Sequence, residues 1–468
     1  MGKFKFPSAF TILFGLITLV AAATWIVPVG EFDRVQNEEL GREVPVPGSF
    51  KPVESNPQGI SDILLAPING FYDIDSYQAA AIDVALFVLI IGGFLGVMNK
   101  TGAIDAGIKS VMSSMQGKEI LMIPIVMSLF AAGGTIYGMA EESLAFYAIL
   151  IPVMIRAGYD SLTAVAVIML GAAMGTLGST INPFATVIAS NAAGVPFTDG
   201  IWLRVIILVV GWVICVAYVM RYAKKVKEDP STSLVSYMKE DNEKHFLKNG
   251  LGNDDEVLTG RQKLILIVYA LSFVVMIWGV SVAGWWMGRM SVIFIVAAII
   301  VAIIDRMGEE KLVNNFIAGA GELLGVALII GVARGVVVVM DAGHLSDTLL
   351  NWSAEAVQGL SAVAFINVMY WLEVAMSFFV PSSSGLAVLS MPIMAPLAEF
   401  VGVSRDLVVT AFQSANGLVN MINPTFAVVM GGLAIGRVRY DLWLRFTWPL
   451  LLILTVLIMA VLSVGALV

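Results

Sequence analysis

Two glutamates and a serine, Glu141, Glu142 and Ser143, stand side by side in the otherwise apolar stretch "AAGGTIYGMAEESLAFYAILIPVM". A carboxylate at membrane depth costs about 2.5–3.5 kcal/mol even on insertion scales, so such residues tend to be functional. A second polar knot, "FVPSSSGLAV", brings Ser382, Ser383 and Ser384 together. Two further segments, "INPFATVIAS" from Ile181 and "INPTFAVVMG" from Ile422, repeat an Asn-Pro pair inside apolar surroundings. These groups suit binding rather than covalent chemistry. The chain has only two histidines, His245 and His344, far apart and outside apolar runs, and one cysteine, Cys215, inside one. No zinc cluster, disulfide framework or Ser-His-Asp set can be assembled from them. A redox, metal or hydrolytic enzyme is disfavoured, and no cofactor is expected.

Each Asn-Pro pair must interrupt its helix. Proline removes a backbone donor and clashes with the preceding turn. The residue before it, Asn182 or Asn423, is pushed out of the helical region. In lipid the freed amides and carbonyls would each cost several kcal/mol, so they must face protein or a hydrated cavity. Half-helix ends then aim partial charges at that cavity. Candidate ligand atoms around the first break come from Thr176, Ser179, Thr180 and Asn182. The second break offers Ser414, Asn416, Asn420 and Asn423. Such a set can bind a substrate's polar groups, or a sodium ion through oxygens alone; sodium is the candidate coupling ion. The bland alternative is helix-end capping by Ser, Thr and Asn.

The elements that carry these residues are apolar helices. Of 468 residues 58% are hydrophobic and 13% charged, and mean hydropathy is +0.88. A soluble domain holds roughly a quarter charged residues. Apolar runs of about 20 residues read as membrane helices, so the fold class is an all-α membrane protein. The net charge of −8 implies no nucleic-acid partner, because the acids sit mostly in loops. The segment from Glu31 to Asp75 holds nine acids and three bases and reads as an external loop. Lys100, Lys109, Lys118 and the basic "RYAKKVKEDP" read as cytoplasmic. The N-terminus then lies inside and the C-terminus outside. Residues 118–160 fit either two full spans or one re-entrant hairpin. In the first case Glu141 and Glu142 sit in a solvated loop; in the second they form a tip at the site. "GAIDAGIKSVMSSMQG" and "AGHLSDTLLNWSAEAVQG" read as interfacial segments, and Phe316 to Met340 as one helix.

The two halves share one register. "IIGGFLGVM" from Ile90 matches "IIGVARGVV" from Ile329, with glycines four apart in both: Gly92 and Gly96, Gly331 and Gly335. "LIPVM" at Leu150 matches "SMPIM" at Ser390, and "GIWLR" at Gly200 matches "DLWLR" at Asp441, all at offsets of 239 to 241. With the orientations above, the repeat is inverted, a signature of secondary transporters. The first repeat covers 1–220, with a hairpin at about 119–157 and a broken helix at about 162–193. A cytoplasmic linker follows at 221–262 and a connecting transmembrane helix at 263–283. The second repeat covers 284–468, with a hairpin at about 362–400 and a broken helix at about 406–436. The substrate-binding set is then Glu141, Glu142, Ser143, Ser179, Thr180, Asn182, Ser382, Ser383, Ser384, Ser414, Asn416, Asn420 and Asn423. Neither tip nor broken helix holds a Lys or Arg, so Coulomb attraction favours a cationic cargo. An empty carrier with an uncompensated carboxylate would cross poorly, which favours exchange. Asp83, Glu322, Arg334 and Glu373 are further ionisable residues in apolar runs; Arg334 and Glu373 are expected to pair with each other.

The opening "KFPSAFTILFGLITLVAAATWIVPVGEFDRV", with "INPF", "INPT" and "SSSGLAVLSMPIMAPLA", resembles the YfcC-like branch of the C4-dicarboxylate anaerobic carrier family, over nearly the whole chain. The resemblance implies two inverted repeats with two re-entrant hairpins, and an elevator-type transport domain moving against a scaffold, usually in a homodimer. Several members of the branch look like arginine/ornithine exchangers or basic amino acid antiporters, whereas the family name suggests dicarboxylates. Carriers of the wider superfamily have Ser-Asn-Thr at their tips, where this chain has Glu141-Glu142-Ser143 and Ser382-Ser383-Ser384. The expected protein is a bacterial inner-membrane secondary transporter exchanging basic amino acids across the lipid bilayer by alternating access. The runner-up is a sodium- or proton-coupled carrier of C4-dicarboxylates or other carboxylates.

Overall fold

The computed structural model describes residues 9–37, 42–104, 106–107, 110, 118–247, 259–283, 285, 287–357 and 359–468. Seven of the helices are long and apolar enough to cross a bilayer, at 18 to 28 residues and a hydropathy of 1.6 to 2.5. At 1.5 Å per residue such helices reach about 27–42 Å, against a hydrocarbon core of about 30 Å. Large apolar side chains along them, among them Leu86, Leu129, Trp202, Val213, Trp371 and Val456, face outward. On a soluble protein these would be anomalous; in lipid they are the expected surface.

The first half begins with α1 (Ala9–Ala23), α2 (Ile60–Asn69) and α3 (Ile82–Lys100). Between α1 and α2 lie two short antiparallel pairs: β1 (Gly30–Glu31) with β4 (Lys51–Pro52), and β2 (Arg34–Asn37) with β3 (Arg42–Pro45). The stretch read as an external loop therefore contains both strands and the apolar helix α2. Then follow α4 (Met122–Tyr137), α5 (Leu144–Arg156), α6 (Ser161–Leu177), a π turn at Pro183–Val187, α7 (Ile188–Ala193) and α8 (Ile201–Glu228). The charged linker holds α9 (Lys239–Phe246), and α10 (Gly260–Ala283) leads to the second half.

That half runs α11 (Met287–Asp305), α12 (Glu309–Glu322), α13 (Leu324–Ala342), α14 (Leu345–Ala356), α15 (Ala362–Phe379), α16 (Ser383–Glu399), α17 (Arg405–Val419), α18 (Ala427–Ile435) and α19 (Tyr440–Gly465). The single helix expected from Phe316 to Met340 is two helices. Leu323, at φ −101° and ψ 4°, separates them. The interfacial segment read at 345–356 is α14, which buries Leu345, Asp347 and Leu350 against α16 and β1. Most of the other, at 102–117, lies outside the described residues.

Helix contacts fall into matched sets. α3 packs on α11 and α12, and α13 packs on α1 and α2. α4 and α5 flank α6, as α15 and α16 flank α17; α8 lies beside α6, and α19 beside α17. The paired glycines set the first of these distances. A Cβ on Gly92 would stand 2.7 Å from the Gly319 carbonyl oxygen, and one on Gly335 2.7 Å from that of Ala66. Gly96 likewise meets Asn315 and Gly319, and Gly331 meets Phe71. Small residues at such crossings let membrane helices approach backbone to backbone.

Candidate functional site

The polar centre is built from the two breaks. In the first, Asn182 donates to the Gly134 carbonyl of α4 at 3.0 Å. Its own oxygen accepts from the amides of Phe184 (2.8 Å) and Ala185 (3.1 Å). Asn423 does the same in the second break. It donates to the carbonyls of Ser377 (3.0 Å) and Phe378 (3.1 Å) at the end of α15, and accepts from the Thr425 amide at 3.0 Å. Each asparagine thus satisfies backbone groups that its neighbouring proline unpairs, and ties the break to the adjacent hairpin arm. An unmet buried amide or carbonyl costs about 1–3 kcal/mol, so this side chain is what makes the interruption tolerable.

The other polar residues of the breaks divide by role. Ser179 meets Thr186 at 2.5 Å, and Thr186 reaches Gln413 of α17 at 2.7 Å. The Gln413 amide donates back to the Ser179 carbonyl at 2.9 Å, and Ser414 donates to that of Leu177 at 3.3 Å. These bonds join the first break to the second. Thr180 pairs with Thr135 of α4 through its hydroxyl (3.0 Å) and its amide (2.9 Å). Asn416 takes a bond from Ser383 at 2.6 Å and gives one to Ser377 at 3.3 Å. Asn420 donates to Asn416 at 3.1 Å.

A cavity of about 470 Å³ lies where both tips and both breaks converge. Eight of the thirteen residues expected at the site line it: Glu141, Glu142, Ser143, Asn182, Ser382, Ser383, Ser384 and Asn420. The other five, Ser179, Thr180, Ser414, Asn416 and Asn423, are not on its wall. They hold the breaks and tips in place from behind. Thr176, Thr425, Asp83 and Arg334 also reach the cavity. Gln413 and Ser377, which complete the supporting network, carry no signal in the sequence, because their partners lie 227 and 39 residues away.

Both tip glutamates face this space. They form a 3-10 turn, Glu141–Ser143, at the start of α5. A helix N-terminus is a favourable place for carboxylates. Glu142 is buried and accepts from the Ala140 amide at 3.1 Å, while Glu141 is more open to the cavity. No cation stands within ion-pair distance of either among the described residues. The turn is placed by Gly138, whose φ of 77° ends α4 and whose missing Cβ leaves room for the Asn182 oxygen, 2.7 Å from where that atom would be. The second tip is made differently. Ser382 caps α16 by accepting from the Gly385 amide at 3.1 Å, which leaves Ser383 for Asn416 and Ser384 for the cavity.

The expected pair between Arg334 and Glu373 does not form. Glu373 is fully buried on α15, and neither carboxylate oxygen has a hydrogen-bond partner among the described residues. Arg334 is exposed on the cavity wall instead. It also borders a second space of about 480 Å³, shared with Ser382 and Ser384 and walled by Glu31, Glu43, Asp341 and Asp347. In this vestibule Arg34 is paired with Asp347 at 2.8 Å, and His344 with Glu31 at 2.6 Å.

Comparison with known proteins matches the sequence to a family of carriers. The model of the family described as DcuC, C4-dicarboxylate anaerobic carrier, covers residues 6–467. An uncharacterized protein of Haemophilus influenzae is 37% identical, over 96% of this chain and 94% of its own length. The Escherichia coli protein YfcC, provisionally named a basic amino acid antiporter, is 32% identical over 99% of this chain and 97% of its own. Among solved structures, the YdaH transporter of Alcanivorax borkumensis aligns with a TM-score of 0.40 at 14% identity, covering 98% of each chain. MtrF of Neisseria gonorrhoeae aligns at the same score and identity, covering 98% of this chain and 95% of its own. With its family's sequence pattern running almost from end to end and seven apolar spans around a polar centre, this chain belongs to the C4-dicarboxylate anaerobic carrier (DcuC) family of multi-pass membrane transporters.

Proposed function

We propose that this transporter exchanges basic amino acids, of the arginine and ornithine kind, across a bacterial inner membrane without chemical change to either. One observation carries the reading: the carboxylates of Glu141 and Glu142 face a cavity built from both tips and both breaks, and among the described residues no cation stands within ion-pair distance of either. In a low-dielectric surround such a pair favours a cationic guest over a neutral or anionic one. The name of the E. coli relative points the same way. An empty site with two uncompensated acids is a poor state in which to cross, so exchange is favoured over one-way flux.

The architecture we infer is a pair of inverted repeats. Reciprocal packing supports it: α3 takes α11 and α12 as α13 takes α1 and α2. α5, at 13 residues, reaches only about 20 Å and is short for a full span, as a re-entrant arm would be. In this reading α4 to α8 and α15 to α19 carry the cargo. The helices α1 to α3 and α11 to α13 form the scaffold against which they move, as a homodimer. The N-terminus is inside, the C-terminus outside, and sodium remains the candidate coupling ion.

A carboxylate carrier is the second reading. The family's name and the position of Arg334 on the cavity wall favour it. Proteoliposomes loaded with ornithine separate the two. Uptake of labelled arginine dependent on internal ornithine is expected, and repeating it with and without external sodium tests the coupling ion. Succinate uptake without arginine uptake would reverse the assignment.

A further inference from the structure

Arg334 is the unexpected charge of the cavity. An arginine within a membrane helix usually meets a carboxylate or carbonyl, since leaving it alone costs about 2.5–3.5 kcal/mol on insertion scales. Here it forms no ion pair with a described residue and lies open to the space it borders. The tip acids Glu141 and Glu142 face that same space and do not pair with it. Opposite charges that share a cavity of about 470 Å³ without neutralising one another leave room for a guest carrying both. That volume is within the ordinary range for small-molecule sites, about 300–1,000 Å³.

We propose that Arg334 is the carboxylate subsite of this carrier. It grips the substrate's carboxylate at the neck between cavity and vestibule, while Glu141 and Glu142 take the cationic end. This rests on the amino acid reading and sharpens it: cargo is selected by charge at both ends. Three features support the assignment. The planar guanidinium binds carboxylate through two parallel hydrogen bonds, which a lysine cannot do. Ser382 and Ser384 border both spaces beside Arg334, so hydroxyl donors are at hand for the same group. Arg334 also sits on α13, outside the two hairpins and two breaks that form the rest of the site. It therefore meets the cargo from an element that belongs to neither hairpin and neither break.

The test compares arginine with agmatine, the same molecule without its carboxylate. In proteoliposomes carrying the wild-type chain, arginine is expected to compete for labelled arginine uptake about 10- to 1,000-fold better than agmatine, the range of one to two charge-assisted hydrogen bonds. In Arg334→Gln the advantage should fall below about threefold, through a higher KM for arginine with agmatine unchanged. Arg334→Lys should lie between. Equal loss for both ligands, or a wild-type chain that does not discriminate, overturns the proposal. Thermal shift of the purified wild-type chain gives a reading free of any variant: arginine must raise Tm more than agmatine does, and equal shifts also overturn it. If the wild type carries succinate and not arginine, the amino acid reading fails on its own. Succinate against its monoamide then measures the same subsite. Discrimination lost in Arg334→Gln upholds the subsite, and discrimination kept refutes it.

Discussion

The two hairpin tips reach one cavity with different chemistry, while the two breaks behind them are nearly the same device. Asn182 and Asn423 each bridge a hairpin carbonyl and the amides beyond a proline. The first tip then presents two carboxylates from a 3-10 turn, and the second presents serines from a capped helix. The asparagine bridge is common to both breaks, although only the first continues into a π turn, and the charge at the tips is not common. Shape at the centre is thus set by the two asparagines, of which Asn182 also lines the cavity, and its charge by a handful of residues at the tips.

Four experiments break or sharpen that contrast. Replacing both acids, Glu141→Gln with Glu142→Gln, should lower kcat/KM for the basic cargo about 10³-fold, two charged contacts at about 2 kcal/mol each. Tm should hardly move, and a variant that still transports arginine at the wild-type rate would end the cationic reading. Asn182→Ala and Asn423→Ala should each cost about 2–3 kcal/mol of stability, because each strands several buried backbone groups. Equal losses of Tm in detergent are the expected outcome, and a tolerated Asn423→Ala would show that the two breaks are not equivalent. Ser383→Ala removes the 2.6 Å bond to Asn416 and should raise KM about fivefold, roughly 1 kcal/mol, with Tm nearly constant. Last, Glu373→Gln should change stability by less than about 1 kcal/mol, since among the described residues its carboxylate has no ion-pair partner to lose and a glutamine amide can meet the neighbouring Ser390 hydroxyl. A larger fall would mean that the carboxylate holds something there.

Much of this was legible in the sequence, and the failures have physical causes. The Asn-Pro pairs mark both breaks because proline removes a donor and the asparagine before it supplies the bridging bonds; proline alone is not enough, since Pro152, Pro392, Pro396 and Pro449 lie inside unbroken helices. The glycines four apart mark the backbone crossings, since nothing larger fits against Gly319 or Ala66. Side-chain direction beyond a break is another matter. Ser179, Thr180 and Asn182 lie in the non-helical stretch between the end of α6 at Leu177 and the π turn at Pro183–Val187, so helical periodicity could not tell that Asn182 reaches the cavity while Ser179 and Thr180 turn away. The helix α2 was hidden by its surroundings: ten residues interrupted by Pro67, inside an acidic segment. Arg334 and Glu373 were matched by charge alone. Their faces, on α13 and α15, are decided by tertiary packing that no local pattern encodes.

The bonds from Gln413 and Ser414 to Ser179, Thr186 and Leu177 fasten the midpoint of one half to that of the other. The two interrupted helices therefore have no freedom to slide separately. In the moving-domain reading proposed above, the displacement that carries the cargo shifts them as a single block. Spin labels placed one on α6 and one on α17 would keep a fixed separation throughout the cycle, while either measured against α3 would not.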